Sequence, residues 1–549
     1  MSEWKPKIST CMKGYDRKQF GKDVAAGILV AIIAFPLSVA LAIASGLSPE
    51  RGLYTAIVGG FLVSALGGSR VNIGGATAAT VMTVFSIVGE FGLSGLAVAT
   101  IMAGLILIVM GILKAGALLK YIPKTITLGF TAGIAMGIFS GQLKGFFGLE
   151  MGAIPVKVLD KFIAYGKVIH TVDGAALLIG LTAMGILIVL PKVTAKIPAS
   201  LAAILVTTPM AAILNGKVDT IRSVYGELPS HFPAFTVPEI SLEMIENLIP
   251  SAFTLALLIA IVSLLACVVT DGLMGERHDS NQELIAEGIA NVFCGFFGAV
   301  PVAGAVARAS NSVKSGGRTP VAGMVHSLVV LLILLFFMPL AGYIPIPTLS
   351  AILIMVAYNM SNWQEFVFMA KHAPKSDFTV LMGTFLAGVF VDLLFAVEVG
   401  VIISAVLFMR RMSDVASVRS WEYLPQEESV DPERLSLRVV PRHTLVYEIE
   451  GPVFFATVDL LMNITATPDT KAIVLRMRSV PSMDITALRS MEGLLERCHK
   501  KGITLVLSHV MEHPYAVMEK AGFLGRLGEE NLCANIDEAL ARAEALGRM

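Results

Sequence analysis

Val71-Asn72-Ile73-Gly74-Gly75-Ala76-Thr77-Ala78-Ala79-Thr80 and Val300-Pro301-Val302-Ala303-Gly304-Ala305-Val306-Ala307-Arg308-Ala309-Ser310 are two short hydrophobic segments, each interrupted where a helix should begin. They sit at matching places in the two halves of the chain. In a membrane protein built from repeats, such a pair is the best pointer in the sequence to a binding site. Each interruption frees backbone N–H groups at a half-helix start inside the bilayer. Those groups and the helix dipole favour an anion.

The composition agrees with a bilayer setting. The chain has 549 residues, of which 55% are hydrophobic and 15% charged, where soluble domains carry roughly 25% charge. A mean hydropathy of +0.75 points to a polytopic membrane protein. The formal net charge is zero, so composition gives no argument for a nucleic-acid partner. The 50 glycines suit close helix packing in lipid. Five cysteines (Cys11, Cys267, Cys294, Cys498 and Cys533) form no CxxC pair and no metal spacing, so neither a metal nor a cofactor is expected. Residues 1–23 are polar and lack the early apolar core of a signal peptide.

That first stretch carries Lys5, Lys7, Lys13, Arg17, Lys18 and Lys22, which reads as a cytoplasmic N-terminal segment under the positive-inside rule. Apolar runs then follow at 24–45, 52–67, 95–113, 125–147, 173–190, 199–215, 250–270, 284–298, 320–341, 347–358, 378–391 and 395–410. The broken segments add 76–89 and 304–314, for about fourteen spans, some too short to cross alone. An even count puts both termini on one side. From a cytoplasmic N-terminus, Lys114, Lys120, Lys124, Lys192, Lys196, Lys314, Arg318, Lys371, Lys375, Arg410 and Arg411 fall inside, and the 216–248 loop falls outside. The 149–171 loop breaks the rule, because it places Lys157, Lys161 and Lys167 outside.

The halves echo each other. Tyr121-Ile122-Pro123 recurs as Tyr343-Ile344-Pro345, an offset of 343 − 121 = 222. Gly75 and Gly304 give 304 − 75 = 229, and the first helices of each half, near 24 and 250, give 250 − 24 = 226. Near-constant offsets suggest a duplicated seven-helix unit, and because seven is odd the second copy is inverted. This divides the chain into the N-terminal segment 1–23, a first repeat at 24–215, an extracytoplasmic loop at 216–248 and a second repeat at 249–411. A charged, proline-bearing linker at 412–440 follows. Residues 441–549 alternate strand-like runs (445–449, 472–477, 503–507) with an amphipathic helix at 485–500, which indicates a small soluble α/β domain on the cytoplasmic side.

Three further stretches carry a family resemblance. Ser48-Pro49-Glu50-Arg51-Gly52-Leu53-Tyr54 with Gly67-Gly68-Ser69-Arg70 is similar to a signature around a second helix. Asp271, Gly275, His278, Asn281, Glu283, Leu284, Gly288 and Asn291 match the spacing of an eighth-to-ninth helix connection, and Pro481-Ser482-Met483-Asp484-Ile485-Thr486 matches a STAS signature loop. On these residues, over nearly its whole length, the chain resembles the SulP family of anion transporters with a C-terminal STAS domain.

The resemblance implies a polytopic α-helical membrane protein with a 7+7 inverted repeat, divided into a core and a gate domain. Its third and tenth helices are half-helices that face each other near the midplane with the anion between them. It also implies an elevator-like movement, a homodimer and cytoplasmic STAS domains open to a cytoplasmic partner.

The candidate anion site follows residue by residue. Gly75, Ala76, Thr77 and Ala78 would form the first half-helix N-terminus. The family often has Gly-Pro-Thr there, and losing the proline adds an N–H donor, while the Thr77 hydroxyl can bind an anion or cap the helix. Ala305, Val306, Ala307, Arg308 and Ala309 would form the second. A charged side chain mid-membrane costs about 2.5–3.5 kcal/mol on insertion scales, so Arg308 is a functional residue by default, suited to offset an anion's charge. Ser38 is the polar candidate from the first helix, which lacks the glutamine and aromatic that relatives carry at the Leu37 and Leu41 positions. Many bacterial relatives place a coupling acid where this chain has Val262.

Valine can neither titrate nor bind a cation, so exchange or uncoupled movement of a small anion is expected, in a bacterial-type inner membrane with both termini cytoplasmic. Asp392 and Glu398 read as loop acids. Asp484 reads as a helix cap without a phosphorylatable neighbour. Sulfate, bicarbonate, chloride and dicarboxylates all fit backbone donors plus one arginine. Two alternatives stay open on the sequence: a channel-like anion conductor and a membrane-tethered STAS regulator. No enzymatic chemistry is expected.

Overall fold

The computed structural model describes residues 5–12, 14–117, 123–152, 154–194, 197–214, 216–391, 393–421, 440–462 and 464–548. Lys13, Lys120, the Tyr121-Ile122 part of the repeated tripeptide, Lys196, Asp392 and linker positions 422–439 lie outside the described residues. The chain divides into two compact units, Met1–Val401 and Ile402–Met549.

In the first unit, α1 (Arg17–Ala44) is capped by Asp16, whose carboxylate accepts from Gln19 N, and it carries Pro36 without ending there. α2 covers 50–66 and widens to a π-turn at Thr55–Gly59. After strand β1 (Gly74–Gly75) and a 3-10 turn (Ala78–Thr80) comes α3 (Val81–Ile112). α3 is two helices joined at Gly92, whose φ of 64° and ψ of −161° no helix interior adopts. Only glycine takes that backbone without steric cost. The predicted break between the half-helix and the next span is therefore a glycine kink.

α4 (Lys124–Phe147), the amphipathic α5 (Val158–Val168), α6 (Gly174–Val193) and α7 (Ala199–Ile213) complete the first half. The second half contains α8 (Leu242–Met274), α9 (Ser280–Phe296), strand β2 (Ala303–Gly304), α10 (Val306–Lys314), α11 (Val321–Ala341), α12 (Ile346–Ser361), α13 (Lys375–Phe390) and α14 (Leu393–Val415). With α3 counted as two pieces and the amphipathic α5 and the short helix Trp363–His372 set aside, each half holds seven helical segments, the 7+7 architecture. Among the described residues six helices are long and apolar enough to cross a membrane: α1, 78–112, α4, α6, α8 and α11.

Two differences from the sequence reading have local causes. α8 starts at Leu242 inside the segment read as loop, because Ser241 accepts from Met244 N and caps an earlier start, and Pro250 is carried within the helix. The stretch read wholly as linker begins with structure. α14 runs to Val415, and Ser417–Trp421 (β3) joins the C-terminal sheet by antiparallel pairing with β4.

The helices pack in two groups. α3 lies against α9 and α8, and α11 against α1 and α2, while α4, α6, α12 and α13 form a second set in which α12 also touches α1. Small residues allow the close crossings, as expected where lipid supplies no hydrophobic drive between helices. Gly104 of α3 and Gly288 of α9 are so close that a Cβ on either would lie 2.6 Å from the other's carbonyl oxygen. Buried polar groups lock the loops. Asp23 accepts from Tyr15 OH, Gln19 Nε2, Arg318 N and Thr319 Oγ1 at 2.9, 3.0, 2.8 and 2.6 Å.

The second unit is a five-stranded sheet in the order β3-β4-β5-β6-β7, with β4 (Thr444–Glu450), β5 (Ala472–Ser479), β6 (Thr504–Ser508) and β7 (Leu532–Cys533) parallel to one another. The helix α15 (Ile485–Lys500) buries Leu488, Met491, Leu494 and Leu495. Asp484 caps it by accepting from Ala487 N at 2.8 Å, and its other oxygen accepts from Phe455 N at 2.9 Å.

Candidate functional site

The two broken segments meet. β1 and β2 form an antiparallel two-residue ladder, with Gly74 opposite Gly304 and Gly75 opposite Ala303. Ala305 N donates to Ile73 O at 3.3 Å just beyond it. The ladder is held from α8 and α9. Asn291 donates from Nδ2 to Val302 O at 2.9 Å and accepts at Oδ1 from Val302 N at 3.0 Å, and Ser263 Oγ accepts from Gly304 N at 2.8 Å. Glu283 accepts from Ser69 N at 2.9 Å and Asn72 Nδ2 at 2.7 Å, fixing the approach to β1. The motif residues Glu283 and Asn291 are thus struts under the crossing.

Arg308, on α10, is 2% exposed. Its Nη2 donates to Ser38 Oγ and to Ala76 O, both at 3.1 Å, while Nε and Nη1 have no partner among the described residues. The guanidinium lies across Gly75, where a side chain would collide with it. Thr77 Oγ1 is buried and also without a partner, and Thr77 does not cap the turn that follows. His326 of α11 is fully buried near enough to Arg308 for charge interaction, and neither ring nitrogen has a partner. The first intrahelical bond of α10 is Ala309 N to Ala305 O at 3.0 Å, so the amides of Val306, Ala307 and Arg308 precede it.

The structure brings Ser38, Gly75, Ala76 and Arg308 together, with Thr77 next in the chain, but changes several roles. Gly75 and Ala76 lie before the helix rather than in its first turn, because Gly75 is spent in the ladder. Ala305 and Ala309 are not free donors, since their N–H groups bond to Ile73 O and Ala305 O. Ala78 opens the 3-10 turn and is buried, whereas Ala307 is exposed. Ser38 touches Arg308 and so positions it. Val262 is partly buried on α8 beside Ser263.

His326 sits in a predicted span, and an ionisable residue there was signal enough to mark it. Lys161 had no such signal, because it lies in a loop by sequence. On α5 it is 2% exposed, and its Nζ donates to Gly137 O at 3.3 Å. It lines a cavity of about 1000 Å³ that reaches Val81 and Met82, the first turn of α3. A smaller cavity of about 260 Å³ shares Met82 and Gly137.

These features define a multi-pass membrane protein with two half-helices joined at a buried, cationic crossing. Residues 20–384 match the Sulfate permease family and residues 434–539 the STAS domain. The chain belongs to the Sulfate permease family, and it is a transporter rather than an enzyme. It is 36% identical to YvdB of Bacillus subtilis (strain 168), over 97% of this chain and 99% of that one. It is 30% identical to the bicarbonate transporter BicA of Synechocystis sp., over 95% of this chain and 94% of the relative. Its fold is similar to that of the murine Solute Carrier 26 family member A9 anion transporter in the inward-facing state. The TM-score is 0.87 at 19% identity, covering 98% of this chain and 94% of that one.

Proposed function

We propose that the chain carries a small oxyanion or halide of the sulfate, bicarbonate, chloride or dicarboxylate class. The anion rests between Thr77 and Arg308, and the site moves by an elevator-type alternating access. One observation carries the reading: a buried arginine with two guanidinium nitrogens unspent, bonded to the carbonyl of Ala76, the residue before Thr77, whose buried hydroxyl is unspent as well. Donors left unpaired in a dry site are costly unless a ligand takes them, and a charged acceptor repays most. The similarity to a bicarbonate transporter supports the substrate class.

The packing of α1, α2, α3 and α8–α11 as one group, and of α4, α6, α12 and α13 as another, supports a mobile core against a gate. Val262 takes no cation, so through that position the anion crosses by exchange or without a coupled ion. Lys161 places positive charge at the cavity leading to the half-helix. The expected setting is a bacterial-type inner membrane with both termini cytoplasmic, as a homodimer whose STAS domain is open to a cytoplasmic partner.

The test is reconstitution in liposomes with each anion in turn. Saturable uptake and counterflow support a carrier. Large unsaturating currents overturn the elevator in favour of a channel, and no flux of any of the four anions overturns the whole reading.

A further inference from the structure

Beneath the crossing lies a carboxylate that the anion site does not use. Glu287 of α9 is completely buried, and both its oxygens lack a hydrogen-bond partner among the described residues. The Ser263 hydroxyl, the Gly304 N–H and the Asn72 amide face it. Two of these three belong to the strands and approach segments of the broken helices. Asn72 Oδ1 is itself buried and without a donor. An ionised carboxylate in such a place, unpaired, is strongly disfavoured. It must be neutralised by a proton or paired with a cation.

Among the described residues, the ionisable groups that face Glu287 include no cation. They are Glu283 and Cys294 on its own helix and Cys267 on α8. The charged residues of the neighbouring α8 (Glu243, Glu246 and Asp271) are all acidic. From α3, packed along α9, the only charged residue is Glu90, which is exposed. The 55–66 part of α2 that packs on α9 has no charged residue. Glu283 next to it is already committed to Ser69 N and Asn72 Nδ2 and adds a second negative charge.

We infer that Glu287 is a proton-binding site whose occupancy is linked to that of the anion site above it. The inference rests on the transport reading and names how that site is regulated. The reaction is a simple protonation: a proton from water adds to the carboxylate, and the neutral acid supplies the donor that Asn72 Oδ1 lacks. With the proton on, the strut beneath Gly304 is uncharged. With it off, a negative charge lies next to the backbone that leads into Arg308 and repels the anion. By linkage, anion binding must then draw a proton onto the protein as strongly as the proton favours the anion. Val262 can supply no such proton, so this role falls to a different helix from the one that carries the acid in many relatives.

Purified full-length protein is titrated calorimetrically with sulfate, bicarbonate, chloride and succinate. Each is run in two buffers of different ionisation enthalpy and corrected for the anion's own ionisation. Affinity is expected to be about tenfold tighter near pH 5.5 than near pH 8, with protons taken up as the anion binds. Glu287→Gln should bind with a flat pH profile, near the tighter affinity, and without that proton uptake. Glu287→Met, also uncharged, should behave alike and stands in if the glutamine variant does not fold. PH-independent binding by the unaltered protein overturns the inference, as does proton uptake that survives in both variants or affinity that follows sodium instead. Those results leave the transport reading intact. If none of the four anions binds at any pH, the transport reading itself falls.

Discussion

Arg308 occupies the space in front of Gly75, so that a Cβ added at Gly75 would fall within its guanidinium. Residue 75 can gain a side chain only if Arg308 moves. Gly75→Ala is expected to push Arg308 off Ser38 Oγ and Ala76 O, and to lower anion affinity by roughly tenfold or more through lost charge-assisted contacts. Uptake against anion concentration, beside the unfolding temperature, checks it. An active Gly75→Ala protein with unchanged affinity would show that Arg308 does not need this position.

Arg308→Ala removes the charge as well as the donors. It should weaken anion binding by about 10- to 100-fold, corresponding to about 1.5–3 kcal/mol. Arg308→Lys should fall between the two, because a lysine keeps the charge and loses the planar fork whose Nε and Nη1 are unpartnered among the described residues and open to an anion. Equilibrium binding of each transported anion to both variants gives the order. Equal affinities across all three proteins would remove Arg308 from the site.

Asn291 satisfies both the N–H and the C=O of Val302. Asn291→Ala leaves both buried and unpaired, at about 1–3 kcal/mol for each group. The expected outcome is a clear drop in thermal stability with a disproportionate loss of transport, since the ladder strand loses its support. A variant as stable and active as the parent would mean that the strand holds itself.

In the C-terminal unit, the Arg526 and Arg489 guanidinium groups beside Glu492 hold its carboxyl below the ordinary value of 4.5. A carboxyl with a lowered native value adds stability that is present above the ordinary value and is lost as pH falls through the native one. The unfolding transition of this unit in the full-length protein should therefore drop as pH is taken below about 4.5. Glu492→Gln should be less stable at neutral pH and flatter across the acid range. A variant that keeps the full acid-induced loss would assign it to other carboxylates.

The fold was largely written in the sequence because its strongest signals are long. Apolar runs set the helices, and the glycine-rich interruptions marked where two of them start late. Arg308 was legible for the same reason, as a charge where lipid tolerates few. The rest depended on pairing between distant segments. Gly75 reads as a helix start, and only its partner Ala303, far along the chain, makes it strand. Ala309 looks like an open donor until Ala305 O is seen to take its N–H. Asn291 is visible as part of a motif, but its clamp on Val302 needs the turn between them. Linker residues 417–421 resemble the charged stretch that follows them, and become a strand because β4 offers an edge.

The ladder of Gly74 with Gly304 and Gly75 with Ala303 has a consequence for ancestry and engineering. Neither copy of the duplicated unit owns a finished strand pair at the centre. Each brings half a seam and relies on its twin to close it. A protein cut in the 216–241 connection would yield two fragments with raw edges at the crossing of the half-helices, and mending would require that the pieces find each other before any stranger does.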